Sequence, residues 1–134
     1  MQSSLDELMS HFTAAGRVEW LGIRPVKKMD MISVANVMLD PLLVVQGDHY
    51  AGRSGNRQVT LIQAEHVAAI AGIMRMERVS ADQVRRNIVV RGLNLLALKH
   101  KSFKLGEAIL EFTGVCHPCS RMETALGFGG YNAM

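Results

Sequence analysis

The residues best equipped for chemistry in this chain lie in one segment, Cys116-His117-Pro118-Cys119-Ser120-Arg121. Its two cysteines are the only ones in the sequence. They are too few for a disulfide framework, and they read as reactive or ligating thiols in a reducing compartment. Two small buried hydrophobes are the plainer alternative. The segment falls where a strand gives way to a helix. Pro118 suits the first helical position, which sets Cys119 in the first turn, facing the positive end of the helix dipole with Arg121 nearby. Both influences favour the thiolate, the form that ligates a soft metal, attacks sulfur or carries a persulfide.

Two other chemistries share parts of this pattern. Strand, Cys-x-Pro-Cys and helix is the local context of a thioredoxin-like redox pair, but that fold needs a further half-domain after the motif, and fifteen residues follow Cys119. A zinc site would draw on Cys116, Cys119 and two of His11, His49, His66, His100 and His117. No histidine pair has finger-like spacing. A second constellation is Arg85-Arg86-Asn87, at the junction of a helical turn and a strand, together with Arg53 in the glycine-rich stretch 47–56. Guanidinium forks suit phosphate oxygens, and glycines let backbone N–H groups approach an anion. Taken alone, paired arginines are more often a solvated face, and the loop lacks the spacing of a nucleotide-binding motif.

The elements that must position these residues follow from periodicity. Leu5, Leu8, Met9 and Phe12 recur at helical spacing, and Ser4 with Glu7 has the capping-box pattern, so residues 3–14 read as a short amphipathic helix. Arg17 to Ile23 alternates, with Val18 and Trp20 on one face, as a half-buried strand does. Apolar runs at Met31–Leu39 and Leu42–Val45 are separated by the turn signal Asp40-Pro41. A strand is expected over Arg57–Ile62, then a helix carrying Val67, Ile70, Ala71 and Met74, then a helical turn capped by Ser80 and Gln83. Asn87–Val90 reads as a strand, and Phe103–Leu105 and Ala108–Phe112 read as two strands meeting at Gly106-Glu107. A last helix covers about Pro118 to Leu126 and stops at Gly127. Short strands with few brief helices favour a β-barrel or barrel-like sheet with helical insertions, an α+β fold, over a parallel α/β one.

Composition bounds the function. A chain of 134 residues, 49% hydrophobic and 20% charged, has the content of one globular domain with a core of its own. No run approaches the roughly 20 apolar residues of a membrane helix, and the first residues lack the zones of a signal peptide, which places the chain in the cytoplasm. A net charge of +3 with one Trp, two Tyr and four Phe leaves little for stacking bases, so nucleic acid is not an expected partner. The mild basic excess suits a small polyanion such as a phosphorylated cofactor, or simply a solvated surface.

Three segments, taken in order, carry a family resemblance. Gly47-Asp48-x-Tyr50-Ala51-Gly52-Arg53, then Arg85-Arg86-Asn87-Ile88-Val89-Val90, then Gly114-Val115-Cys116-His117-Pro118-Cys119-Ser120-Arg121-Met122-Glu123, resemble successive signatures of the MOSC domain. That domain is named for the C-terminal region of molybdenum cofactor sulfurase. The resemblance runs from Gly16 to Met134, after an N-terminal helix over residues 1–15, and is to the stand-alone bacterial type. It implies a β-barrel with helical excursions. It also implies that the cysteine at Cys119 ligates molybdenum or carries sulfur. By the same resemblance Arg53, Arg86 and Asn87 hold the phosphate end of molybdopterin, and Ser120 and Arg121 beside the cysteine are counted with them as cofactor-binding. Cys116 is not general to the family, and is counted with Cys119 as a second working thiol.

Three functions follow from the resemblance. The chain is a molybdenum-dependent reductase of N-hydroxylated compounds fed by an electron-donor protein, a carrier of a Cys119 persulfide received from a cysteine desulfurase, or a module that stores or delivers the cofactor. Pyridoxal phosphate is not expected, because the lysine-bearing sulfurase domain is lacking. Relatives of this type usually continue past Gly129–Met134 into a closing strand. Where that segment is truly absent, rather than cut or unseen, a barrel edge stands open, which favours a homodimer or swapped assembly.

Overall fold

The computed structural model describes residues 4–26, 29–40, 44–48, 59–116, 118 and 120–134. In chain order the elements are α1 (Ser4–Met9), β1 (Arg17–Ile23), β2 (Ile32–Ser33), β3 (Leu39–Asp40), β4 (Val44–Val45), β5 (Leu61–Gln63), α2 (Ala64–Ile73), β6 (Ile88–Arg91), β7 (Ser102–Leu105), β8 (Ala108–Glu111), α3 (Arg121–Leu126) and α4 (Gly130–Ala133). Single turns of 3-10 helix at Ala81–Val84 and Leu95–Leu98 precede and follow β6.

β6 is the centre of the fold. Its run Ile88-Val89-Val90 is buried throughout, as β-branched residues are when a strand has neighbours on both edges and cover on both faces. One edge pairs antiparallel with β1, the other parallel with β5, and β2 completes the order β2-β1-β6-β5. A parallel pair needs a crossover. The chain supplies it with α2 and the 3-10 turn at 81–84, and Ile70 and Ala71 of α2 turn into the core beside Val84, Val89 and Ile62. From the C-terminal side, Leu126 of α3 and Ala133 of α4 join the same cluster.

Elsewhere the strands are short hairpins: β3 pairs β4 through Leu39 and Val45, and β7 pairs β8 around Gly106, where φ is +59°. Among the described residues the strands therefore form a four-stranded mixed sheet and two separate ribbons, an α+β arrangement in which no closed barrel is present.

Several expectations change. β1 has the bounds read from the sequence, but its register slips between Val18 and Trp20. That bulge breaks the alternation and leaves Val18 40% exposed. α1 is shorter than its apolar stripe and buries no residue. The last helix begins at Arg121 with Ser120 as N-cap, so Pro118 lies before it rather than in its first turn. The capping pair at Ser80 and Gln83 forms, with Gln83 Oε1 accepting from the Ser80 N–H at 3.0 Å. Pro41 and Leu42, and the start of the strand expected at Arg57, lie outside the described residues.

Candidate functional site

The site is assembled where the chain enters β6. Arg85 ends the 3-10 turn in the left-handed conformation, φ 56° and ψ 43°, a geometry that costs a non-glycine residue roughly 1–2 kcal/mol. Arg86 follows with 6% exposure. Its guanidinium is forked between two backbone carbonyls, Nη1 donating to Val84 O and Nη2 to Cys116 O, both at 3.0 Å. Among the described residues no carboxylate ion-pairs with it. A guanidinium held in the protein by neutral acceptors keeps its positive field, because hydrogen bonds satisfy its donors without cancelling its charge.

Asn87 points its amide at the other side of the junction. Oδ1 accepts from Thr60 N at 3.3 Å and Thr60 Oγ1 at 3.2 Å, while Nδ2 donates to Gly22 O at 3.1 Å and reaches Asp48 Oδ1 at 3.5 Å. Asp48 in turn accepts from the Arg24 N–H at 2.7 Å. The two donors and two acceptor positions of the amide are thereby engaged within the protein. Asp48 is the second residue of the glycine-rich segment, so Asn87 fastens the base of that segment to β1 and to the entry of β5.

The cysteine segment is approached along β8 and residues 112–116. Cys116 is half-buried. Beyond it, α3 is tied down at two points. Gln83 Nε2 donates to Ala125 O at 3.2 Å, and the Glu123 carboxylate accepts from Gly129 N and Tyr131 N, both at 3.0 Å. The two backbone donors at the start of α4 hold the Glu123 pKa below the ordinary carboxylate range. Ser120 is exposed, with no capping bond from its hydroxyl, and Arg121 is half-buried.

Between β5 with α2 on one side and β8 with residues 112–116 on the other runs a groove of about 1120 Å³. Leu61, Ile70, Leu98, Phe103 and Phe112 give it a mostly apolar wall, into which Gln63, His66, Arg86 and Cys116 also enter. Gln63 is itself buried and braced, its Oε1 accepting from Leu95 N at 3.0 Å. An apolar cleft with a few convergent polar groups is the usual form of a small-molecule site.

Of the residues singled out from the sequence, Arg86 and Cys116 come together directly, and Asn87 sits beside Arg86 with its amide turned to Asp48. Ser120 and Arg121 lie at the start of α3. Cys119, Arg53, His117 and His49 lie outside the described residues. Among the described residues no group of three or more His, Cys, Asp or Glu could hold a metal ion, and no helix is long and apolar enough to cross a membrane. Asp48, Thr60, Gln63 and Glu123 carry the framework of the site; Asp48 and Glu123 stand in the quoted signatures, but none of the four was read as a site residue. For Asp48 a signal existed: an Asp after Gly in a turn is suited to accept backbone N–H groups.

Comparison with known proteins agrees with this architecture. The family profile of the MOSC domain matches residues 35–133. Among solved structures, the crystal structure of the YuaD protein from Bacillus subtilis is similar, with a TM-score of 0.72 at 21% identity over 83% of this chain and 71% of that one. No curated protein sequence matches.

Proposed function

Since the chain belongs to the MOSC family, a family associated with molybdenum cofactor binding, we propose that it holds the molybdenum cofactor, with Cys119 as the protein ligand to the metal. The observation that carries this reading is Arg86, a buried cation with no carboxylate partner among the described residues, in the wall of a groove it shares with Cys116, three residues before Cys119. That donor set fits a phosphorylated heterocycle: an apolar wall for the ring system and uncompensated positive charge for the anion.

In this account the cofactor-handling unit is residues 16–134, with α1 as an appendage. Arg53, Arg86 and Arg121, with the Ser120 hydroxyl, supply the positive and hydrogen-bonding end of the site, and Asn87 acts through Asp48 on the segment that carries Arg53. Cys119 contributes its thiolate, so loading releases a proton. The cofactor, when bound, supplies redox chemistry at the metal, which suits a reductase of N-hydroxylated compounds drawing electrons from a partner protein in a reducing, cytoplasmic compartment.

The second thiol supports another reading, sulfur relay. There the Cys119 thiolate attacks the outer sulfur of a cysteine desulfurase's persulfide, a new S–S bond forms on Cys119, and the donor cysteine leaves as its thiolate. Cys116, half-buried and three residues away, would then attack the inner sulfur of Cys119, so that a Cys116–Cys119 disulfide forms as the outer sulfur leaves as hydrosulfide.

Arg53→Ala and Arg121→Ala test the anion end. Each weakens retention of free molybdenum cofactor by about 1.5–3 kcal/mol where a charge-assisted bond is lost, with the thermal midpoint little changed. Undiminished retention in both variants would remove the arginines from the site.

A further inference from the structure

We propose that the adjacent residues Arg86 and Asn87 are positioning residues that fasten two separate loops to one strand end. Arg86 holds the cysteine segment, and Asn87 holds the base of the glycine-rich segment. The functional weight of this arrangement rests on the cofactor reading above, but the anchoring does not.

The geometry behind the proposal is divided cleanly. Arg86 reaches the 112–116 stretch through Cys116 O and its own turn through Val84 O, each at 3.0 Å. Asn87 makes none of these bonds. It spans Gly22 O, Thr60 and Asp48 instead, and its own backbone accepts from the Gly22 N–H at 2.8 Å. The two side chains leave the entry to β6 toward different partners, so one dipeptide faces both loops. Because β6 is buried and paired on both edges, its entry is a rigid reference point. A segment tied to such a point loses freedom that loops otherwise have, which is how a strand end brings groups from distant sequence into register. On this view the Arg-Asn step contributes placement beside the charge of Arg86: Arg86 fixes the chain at Cys116, and Asn87 fixes it at Asp48.

The test is a crossed measurement on the folded, full-length chain, with no ligand present. The rate of iodoacetamide alkylation at Cys116 reads the cysteine segment. The early rate of tryptic cleavage after Arg53, followed by mass spectrometry, reads the glycine-rich one. Arg86→Gln, which cannot reach across, and Arg86→Lys, which keeps charge but loses the fork, are each expected to raise Cys116 alkylation at least threefold and leave Arg53 cleavage within twofold of the parent. Asn87→Ala and Asn87→Asp are expected to do the reverse, raising Arg53 cleavage at least threefold. Asp48→Ala should reproduce that effect, and the Asp48→Ala/Asn87→Ala pair should gain less than the product of the two singles, because both sever one contact. A general loss of stability would speed both reactions together in every variant. That outcome, or unchanged rates, overturns the proposal, and neither depends on whether the cofactor binds.

Discussion

At the scale of single residues, the side chains that shape the site are held largely by backbone groups, with Asn87 also meeting the Thr60 and Asp48 side chains. Arg86 rests on two carbonyls, Asn87 on Thr60 N and Gly22 O, Gln63 on Leu95 N, and Glu123 on Gly129 N and Tyr131 N. A backbone partner needs no particular side chain opposite, so such anchors leave little trace in sequence. Glu123 gives a prediction with a definite sign. Its pKa is lowered by the two N–H groups it accepts from, so its stabilising effect is full above the ordinary glutamate range and is lost as pH falls through the depressed folded value. The thermal midpoint of Glu123→Gln should lie below that of the parent at neutral pH, with the gap closing in acid; a gap independent of pH would contradict the assignment. The Cys116–Arg121 segment and the Arg86-Asn87 step were legible because they are local patterns. Their partners were not, since Arg86 meets Cys116 across 30 residues and Asn87 meets Asp48 across 39.

At the scale of elements, what sequence disclosed followed the strength of the local signal. The bounds of β1 and the Gly106 hairpin of β7 and β8 appear as read, since turn chemistry and strand composition are properties of neighbours, whereas the bulge that breaks the alternation of β1 is not. The 3-10 turn at Leu95–Leu98 and the short α4 were missed. Neither has a helical stripe long enough to register; the first is capped by Asn94 and braced by Gln63, and the second is held by Glu123. The start of the last helix at Arg121 is a further case: Pro118 is compatible with a first helical turn but does not require one. Packing of α3 on α4 depends on Gly130, where an added Cβ would come within 2.6 Å of Met122 O and Leu126 Cβ. Backbone must move to make room, so Gly130→Ala is expected to cost about 1–3 kcal/mol in denaturant unfolding. A neutral result would mean that α4 does not seat against α3 as described.

At the scale of the whole molecule, the expectation of a barrel-like sheet met, among the described residues, a mixed sheet with two ribbons, built around a parallel β5–β6 pair whose direction was not read from the sequence. The reason is physical: three- and four-residue strands show composition but not direction, and only the crossover through α2 fixes β5 and β6 as parallel. α1 contributes no buried residue to this body. Leu5 and Leu8 are 72% and 62% exposed, so removal of residues 1–10 should change unfolding stability by less than about 0.5 kcal/mol; a larger loss would show that the stripe is covered in solution. The site, by contrast, draws on β1, β5, β6 and α3 at once, and the account of it stands or falls on Cys119. The most direct measurement is molybdenum bound per chain after anaerobic incubation with free molybdenum cofactor, in the parent and in Cys119→Ser. The account predicts stoichiometric metal in the parent, lost in Cys119→Ser and largely kept in Cys116→Ser. Metal retained in full by Cys119→Ser, or absent from the parent, would contradict it.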